Sequence, residues 1–119
     1  MSKRSLSLYL KDILFEIERA ERFLKGISSA EELSKDEKTF YAMVKVLENI
    51  GEAVKHIPDN LRVMYSAIPW KEIVAFRNIL VHEYFGISPA IVFNVVEKEL
   101  PALKEAVLKI LEEVEEDEG

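Results

Sequence analysis

Four side chains with hydrogen-bonding heads stand close together in one stretch of the chain: Arg77, Asn78, His82 and Tyr84. Their types suit metal-free cleavage of RNA. In that reaction a ribose 2′-hydroxyl loses a proton and attacks the neighbouring phosphorus, and negative charge builds on the phosphate oxygens. A histidine titrates near neutral pH and suits the proton transfer. A guanidinium can hold two phosphate oxygens at once and stabilise the growing charge. An asparagine amide can orient an imidazole, and a tyrosine can donate to phosphate or accept a modification. Spacing alone leaves blander readings open. Arg77 can pair with Glu72 or Glu83 on the surface, and His82 can serve as a cation at a helix C-terminus.

The element that carries these residues limits how they act together. On a helix each residue turns by about 100°. Asn78 and His82, four apart, share a face, so the amide is expected to orient the ring. Arg77 and Tyr84, seven apart, share a second face. Arg77 and His82, five apart, are separated by roughly 140° around the axis. They are not direct neighbours on one ideal helix, and a cleft between two copies of that helix, across a symmetric dimer, brings them closer. The spacing therefore favours a composite, dimeric site.

The rest of the chain reads as helices arranged to hold that one. Leu6, Leu10, Ile13, Ile17, Ala20 and Leu24 draw an apolar stripe that predicts a first helix from about Leu6 to Lys25. Gly26 fits its C-terminal cap. A polar connection is expected from Ile27 to Ser34, with Ser34 and Glu37 at a capping-box spacing. Phe40, Met43, Val44, Leu47, Ile50 and Val54 define a second helix to about His56, stopped by Pro58. Residues 59–68 predict a short helical turn and a loop. The third helix should run from Trp70 to about Phe85, opened by Pro69 and closed by Gly86. Its inward side chains are expected to be Ile73, Phe76, Leu80 and Tyr84. Ser88 and Pro89 open a fourth helix with a long apolar face, and Pro101 inside it should kink or split it. Short connections between long amphipathic helices predict an all-α, antiparallel four-helix bundle, with a short extra helix or turn between helices 2 and 3.

Length and charge fit this frame. The 119 residues suit one domain, read as residues 1–111, followed by an acidic, solvated and frayed tail over residues 112–119. That tail supplies six of the 22 acidic residues, so the net charge of −6 hides a neutral body. A local basic site is compatible with this, whereas broad, non-specific coating of nucleic acid is not. No cysteine is present, which excludes disulfides and thiolate metal sites and fits a reducing, cytoplasmic setting. Lys11, Asp12, Glu16 and Glu18 interrupt the leucine-rich stretch near residue 10, so it reads as neither signal peptide nor membrane span.

Several stretches together resemble a known family. Arg77-Asn78-Ile79-Leu80-Val81-His82-Glu83-Tyr84 resembles the Arg-Asn-x-Leu-x-His-x-Tyr signature of HepT-like proteins in the HEPN superfamily. Leu47-Glu48-Asn49-Ile50-Gly51-Glu52-Ala53 is similar to that family's second helix. Ile68-Pro69-Trp70 is similar to the opening of its third helix, and Tyr9 to Leu14 to the start of its first. The resemblance spans roughly residues 6–111. It implies a dimeric four-helix bundle and metal-independent endoribonuclease activity, without a cofactor. It also implies the role of toxin in a toxin–antitoxin pair, with a small MntA-like nucleotidyltransferase as antitoxin that transfers AMP onto the motif tyrosine. Carried over by position, Arg77 and His82 become catalytic, Asn78 supporting, and Tyr84 the AMPylation acceptor. Glu52 moves toward the cleft. The chain departs from the family at Ala75 and Phe76, where glycine often precedes the arginine, and at Lys45, where arginine is frequent. These departures touch packing and substrate contacts and leave the reacting groups in place.

Other residues have plainer expected roles. His56 reads as a helix C-terminal residue, Trp70 as a plug for the core or dimer seam, and Tyr9 and Tyr41 as helix-face aromatics. Glu48 and Glu52, flanked by Lys45 and Lys55, read from spacing as a solvated, paired face. No metal-ligand pattern or glycine-rich phosphate loop occurs in the sequence. The competing function is a catalytically silent module that only binds a nucleotidyltransferase or a nucleotide. The intact Arg/Asn/His cluster weighs against it, because a plain interaction bundle needs none.

Overall fold

The computed structural model describes residues 5–118, and the side chains of Tyr84, Asp117 and Glu118 lie outside that description. Among the described residues seven α-helices follow one another: α1 Leu6–Leu24, α2 Ala30–Lys35, α3 Glu37–Val54, α4 Asp59–Met64, α5 Trp70–Glu83, α6 Pro89–Asn94 and α7 Leu100–Glu118. A 3₁₀ turn at Tyr84–Gly86 ends α5, and a π-helical turn at Val95–Glu99 joins α6 to α7. No strand occurs among the described residues. α1, α3, α5 and the α6–α7 unit form the bundle, about 46 Å long and 28 Å across.

The apolar stripes meet at its centre. Leu10, Ile13, Ile17 and Ala20 of α1 are buried with Met43, Val44, Leu47, Ile50 and Val54 of α3. Leu103, Val107 and Ile110 of α7 close the same core. Leu80 is the fully buried residue of α5, with Ile73 and Phe76 half-buried beside it. Trp70 resolves to a core position, 4% exposed, and its Nε1 donates to the Tyr65 carbonyl at 3.1 Å.

Local chemistry sets the boundaries. Lys25 leaves α1 in an extended conformation, φ −60° and ψ 128°, and Gly26 follows at φ +85° as the third residue of a type II turn closed by the Ile27 amide on the Leu24 carbonyl at 2.9 Å, a conformation that glycine adopts without a Cβ clash. The expected cap at Ser34 is corrected. The connection holds the short helix α2, capped by Ser29 Oγ, which accepts from the Glu32 amide at 3.1 Å. Asp36 caps α3 by accepting from the Thr39 amide at 3.0 Å, while the Ser34 hydroxyl donates back to the Glu31 carbonyl. Ser88 and Pro89 open α6 as expected, with Ser88 Oγ accepting from the Ala90 amide.

The strain expected at Pro101 is absorbed one turn earlier. The Leu100 amide bonds to the Val95 carbonyl, five residues back, so the proline's missing N–H and its ring fall where the ladder has already been shifted. The acidic stretch expected as a frayed tail is helical as far as Glu118. Leu111 and Val114 keep it against the core, Lys11 pairs with Glu115 at 3.3 Å, and the Tyr65 hydroxyl donates to Glu113 at 2.9 Å.

Candidate active site

α3 and α5 pack unusually closely where the motif begins. Gly51, buried in the last turn of α3, faces Arg77 of α5; a Cβ built on Gly51 would lie 2.2 Å from Arg77 Cβ and 2.7 Å from its Cγ. Glycine inside a helix costs roughly 0.5–1 kcal/mol relative to alanine. Here the missing side chain lets the arginine stem lie against the α3 backbone.

That packing fixes where the guanidinium goes. Arg77 Nη2 lies 2.9 Å from Glu52 Oε2, and Nη1 donates to Asn78 Oδ1 at 2.9 Å. Nε is buried without a hydrogen-bond partner. The side chain is 25% exposed, so the head reaches the surface while its stem is packed. Lys55 Nζ approaches the same Glu52 oxygen at 3.5 Å. Each terminal guanidinium nitrogen has a second N–H in addition to the one engaged.

These contacts revise two expectations. Arg77 pairs neither with Glu72 nor with Glu83 but with Glu52, across to another helix. Asn78 serves the arginine: its carbonyl accepts from Arg77, although the i,i+4 spacing pointed it at His82. Sequence spacing could not foresee this, because the nearest strong donor is the adjacent side chain once Glu52 has turned it. His82 lies exposed in the last turn of α5 and makes no hydrogen bond or ion pair among the described residues. The backbone of Tyr84 opens the 3₁₀ turn directly after α5, and its side chain, expected inward and as the modification site, lies outside the described part of the structure.

A groove of about 300 Å³ continues from Glu52 across α3 to α1. His56 stacks on Tyr9 there, with ring centroids 4.1 Å apart and planes at 9°. The pairing of a residue on α1 with one just beyond α3 carried no signal in either local pattern. A larger groove of about 590 Å³ lies between α3, α5, the π turn and α7, lined mainly by apolar side chains such as Leu47, Phe76 and Ile91. It contains none of Arg77, Asn78 or His82, so the polar chemistry lies elsewhere.

Fold and site together define a class: a small helical bundle that presents a packed, carboxylate-held arginine and an exposed histidine from one helix. A family described as Ribonuclease HepT-like matches residues 13–110. The chain is 44% identical over 104 residues to a protein of Caldanaerobacter subterraneus subsp. tengcongensis named as an RNase candidate, covering 87% of this chain and 92% of that one. It is 39% identical over 102 residues to the "Probable ribonuclease HepT" of Thermococcus cleftensis, covering 86% and 92%. A Methanocaldococcus jannaschii protein, whose name joins a gamma-glutamylcyclotransferase to an RNase candidate, is 36% identical over 124 residues. This chain spans 52% of that protein's length. No solved structure matches the chain significantly. The chain belongs to the HepT-like ribonuclease family.

Proposed function

We propose that the chain is a toxin-type, metal-independent endoribonuclease whose site forms where two copies bring Arg77 of one against His82 of the other. The observation that carries this reading is the seating of Arg77: over Gly51, held by Glu52 and Asn78, with its charged head at the surface. A guanidinium immobilised before substrate arrives loses little entropy on gripping a phosphate and needs no reorganisation as charge develops. The spare N–H groups on Nη1 and Nη2 then take two phosphate oxygens. His82 accepts the 2′-hydroxyl proton, the oxygen attacks phosphorus, and the bond to the 5′-oxygen breaks, leaving a cyclic phosphate and a 5′-hydroxyl once a proton is returned.

The surroundings support a second copy beside the motif. Val81 near the end of α5 is exposed, and Phe85, four residues on in the 3₁₀ turn, is 82% exposed, two apolar side chains that flank His82 in sequence. Among the described residues no three carboxylate or imidazole side chains converge to hold a metal ion. None of the described helices is long and apolar enough to cross a membrane.

Incubation of the purified protein with RNA and EDTA tests the activity. Cleavage should persist in the chelator and fall at least about a hundredfold in Arg77→Ala and His82→Ala. Equal cleavage by wild type and both variants would contradict the assignment. No cleavage by wild type, together with tight binding to a nucleotidyltransferase, would support the silent module.

Regulation follows the same geometry. Tyr84 directly follows α5, so AMP attached to its hydroxyl would bring a bulky anion to the end of the helix that carries the motif and compete with RNA phosphate. The nucleotidyltransferase antitoxin would thereby silence the site. Protein AMPylated at Tyr84 should lose cleavage, and retention of the unmodified rate would refute this mechanism.

A further inference from the structure

The groove on the α1–α3 side has a chemistry of its own that the cleavage step does not use. It begins at Glu52, whose Oε2 holds Arg77, and it runs to the Tyr9–His56 stack. The ion-pair approaches of Arg77 and Lys55 to Glu52 are both to Oε2, at 2.9 and 3.5 Å. Glu16 in its floor is 8% exposed and already satisfied: Arg19 Nη1 donates to one oxygen at 3.1 Å and Asn49 Nδ2 to the other at 3.3 Å. Asn49 has therefore engaged one of its two amide hydrogens and kept its carbonyl. Asp12 adds a further carboxylate, and no lysine or arginine lines the space among the described residues.

Acceptor capacity, from the Asn49 carbonyl and Glu52, thus outweighs donor capacity beside an aromatic platform, next to a side chain suited to phosphate. The groove's lining carboxylates favour a ligand that donates hydrogen bonds over a phosphate. A nucleobase fits the groove, stacking on an aromatic face and offering N–H groups to the acceptors. Among the four RNA bases only guanine presents two adjacent donors, its N1–H and its 2-amino group, which match a carboxylate. We propose that this groove is a guanine-binding subsite that seats the base next to the phosphate gripped by Arg77, with Asn49 and Glu52 reading the donor edge and His56 supplying the stacking surface. The proposal rests on the ribonuclease reading for its purpose, and on the groove alone for its ligand.

The test separates the two. GMP, IMP and AMP are titrated into the isotope-labelled full chain while the His56 ring and Asn49 side-chain amide signals are followed by NMR. GMP should shift both signals and bind about tenfold more tightly than IMP, which lacks the 2-amino group and forfeits a charge-assisted hydrogen bond. His56→Ala, at an exposed position, should weaken GMP binding with an unchanged helical spectrum. In an RNA assay, wild type should prefer guanosine to inosine beside the cut, Asn49→Ala should lose that preference, and His56→Ala should weaken both substrates alike. Equal affinity for the three nucleotides, or no shift at His56 and Asn49, overturns the subsite, whether or not RNA is cleaved. Selective GMP binding without any cleavage by wild type would leave the subsite standing and remove the ribonuclease reading.

Discussion

Arg77 holds its place because residue 51 has no side chain. Replacing Gly51 with alanine sets two effects against each other. Alanine improves intrinsic helix propensity by about 1 kcal/mol. Its methyl would sit 2.2 Å from Arg77 Cβ, an atom fixed to the α5 backbone and not the far end of a flexible chain. Relief requires α5 to move away from α3, and overpacking of this kind costs roughly 1–3 kcal/mol. The second effect wins: Gly51→Ala should lower Tm and reduce RNA cleavage together, as calorimetry and an activity assay would show. An unchanged Tm would mean that the two helices tolerate the wider spacing. This glycine lies within the Leu47–Ala53 stretch that resembles the family, and a lone glycine inside a helical pattern was a readable sign of close approach. What spacing could not supply was the partner. The Arg77–Glu52 pair joins two helices, whereas periodicity reports one helix at a time.

At the scale of elements, the long helices were legible because each carries a full apolar stripe. α2 was not, since six residues with one buried leucine, Leu33, draw no stripe. Its presence depends on caps, and so does the start of α3. The Ser28 amide, followed by its hydroxyl, donates to Glu32 and holds that carboxyl below its ordinary value. The Thr39 amide, followed by its hydroxyl, does the same for Asp36. For a group whose folded pKa is depressed, the stabilisation is complete above the unfolded value and is lost as pH falls through the folded one. The N-terminal ends of α2 and α3 should therefore loosen in acid, at and below the ordinary carboxylate range. Hydrogen exchange would show the Ser28 and Thr39 amides losing protection before Leu47 in the middle of α3. Asp36→Asn, which keeps an acceptor without a titrating proton, should remove the acid sensitivity at Thr39. Simultaneous loss across α3 would contradict this account of the helix ends. Pro101 teaches a related lesson: a break was expected from the ring alone, but where the helix would absorb it depended on the neighbouring turn, which became π-helical at Val95–Glu99.

The molecule as a whole has a neutral body, an acidic helical end and one helix, α5, that presents polar chemistry and exposed apolar side chains along the same stretch. The fold class was readable from composition and periodicity. The cleft was read only from angles, because Arg77 and His82 lie about 140° apart on a helix. Mixing separately purified Arg77→Ala and His82→Ala chains, after subunit exchange, tests that cleft directly. If each site takes its arginine from one copy and its histidine from the other, half of the dimers are mixed and each mixed dimer has one intact site. The mixture should then recover about one quarter of wild-type RNA cleavage while either variant alone stays inactive. No recovery, in a mixture that sedimentation shows to be dimeric and exchanged, would place arginine and histidine of a working site in the same chain and contradict the composite site.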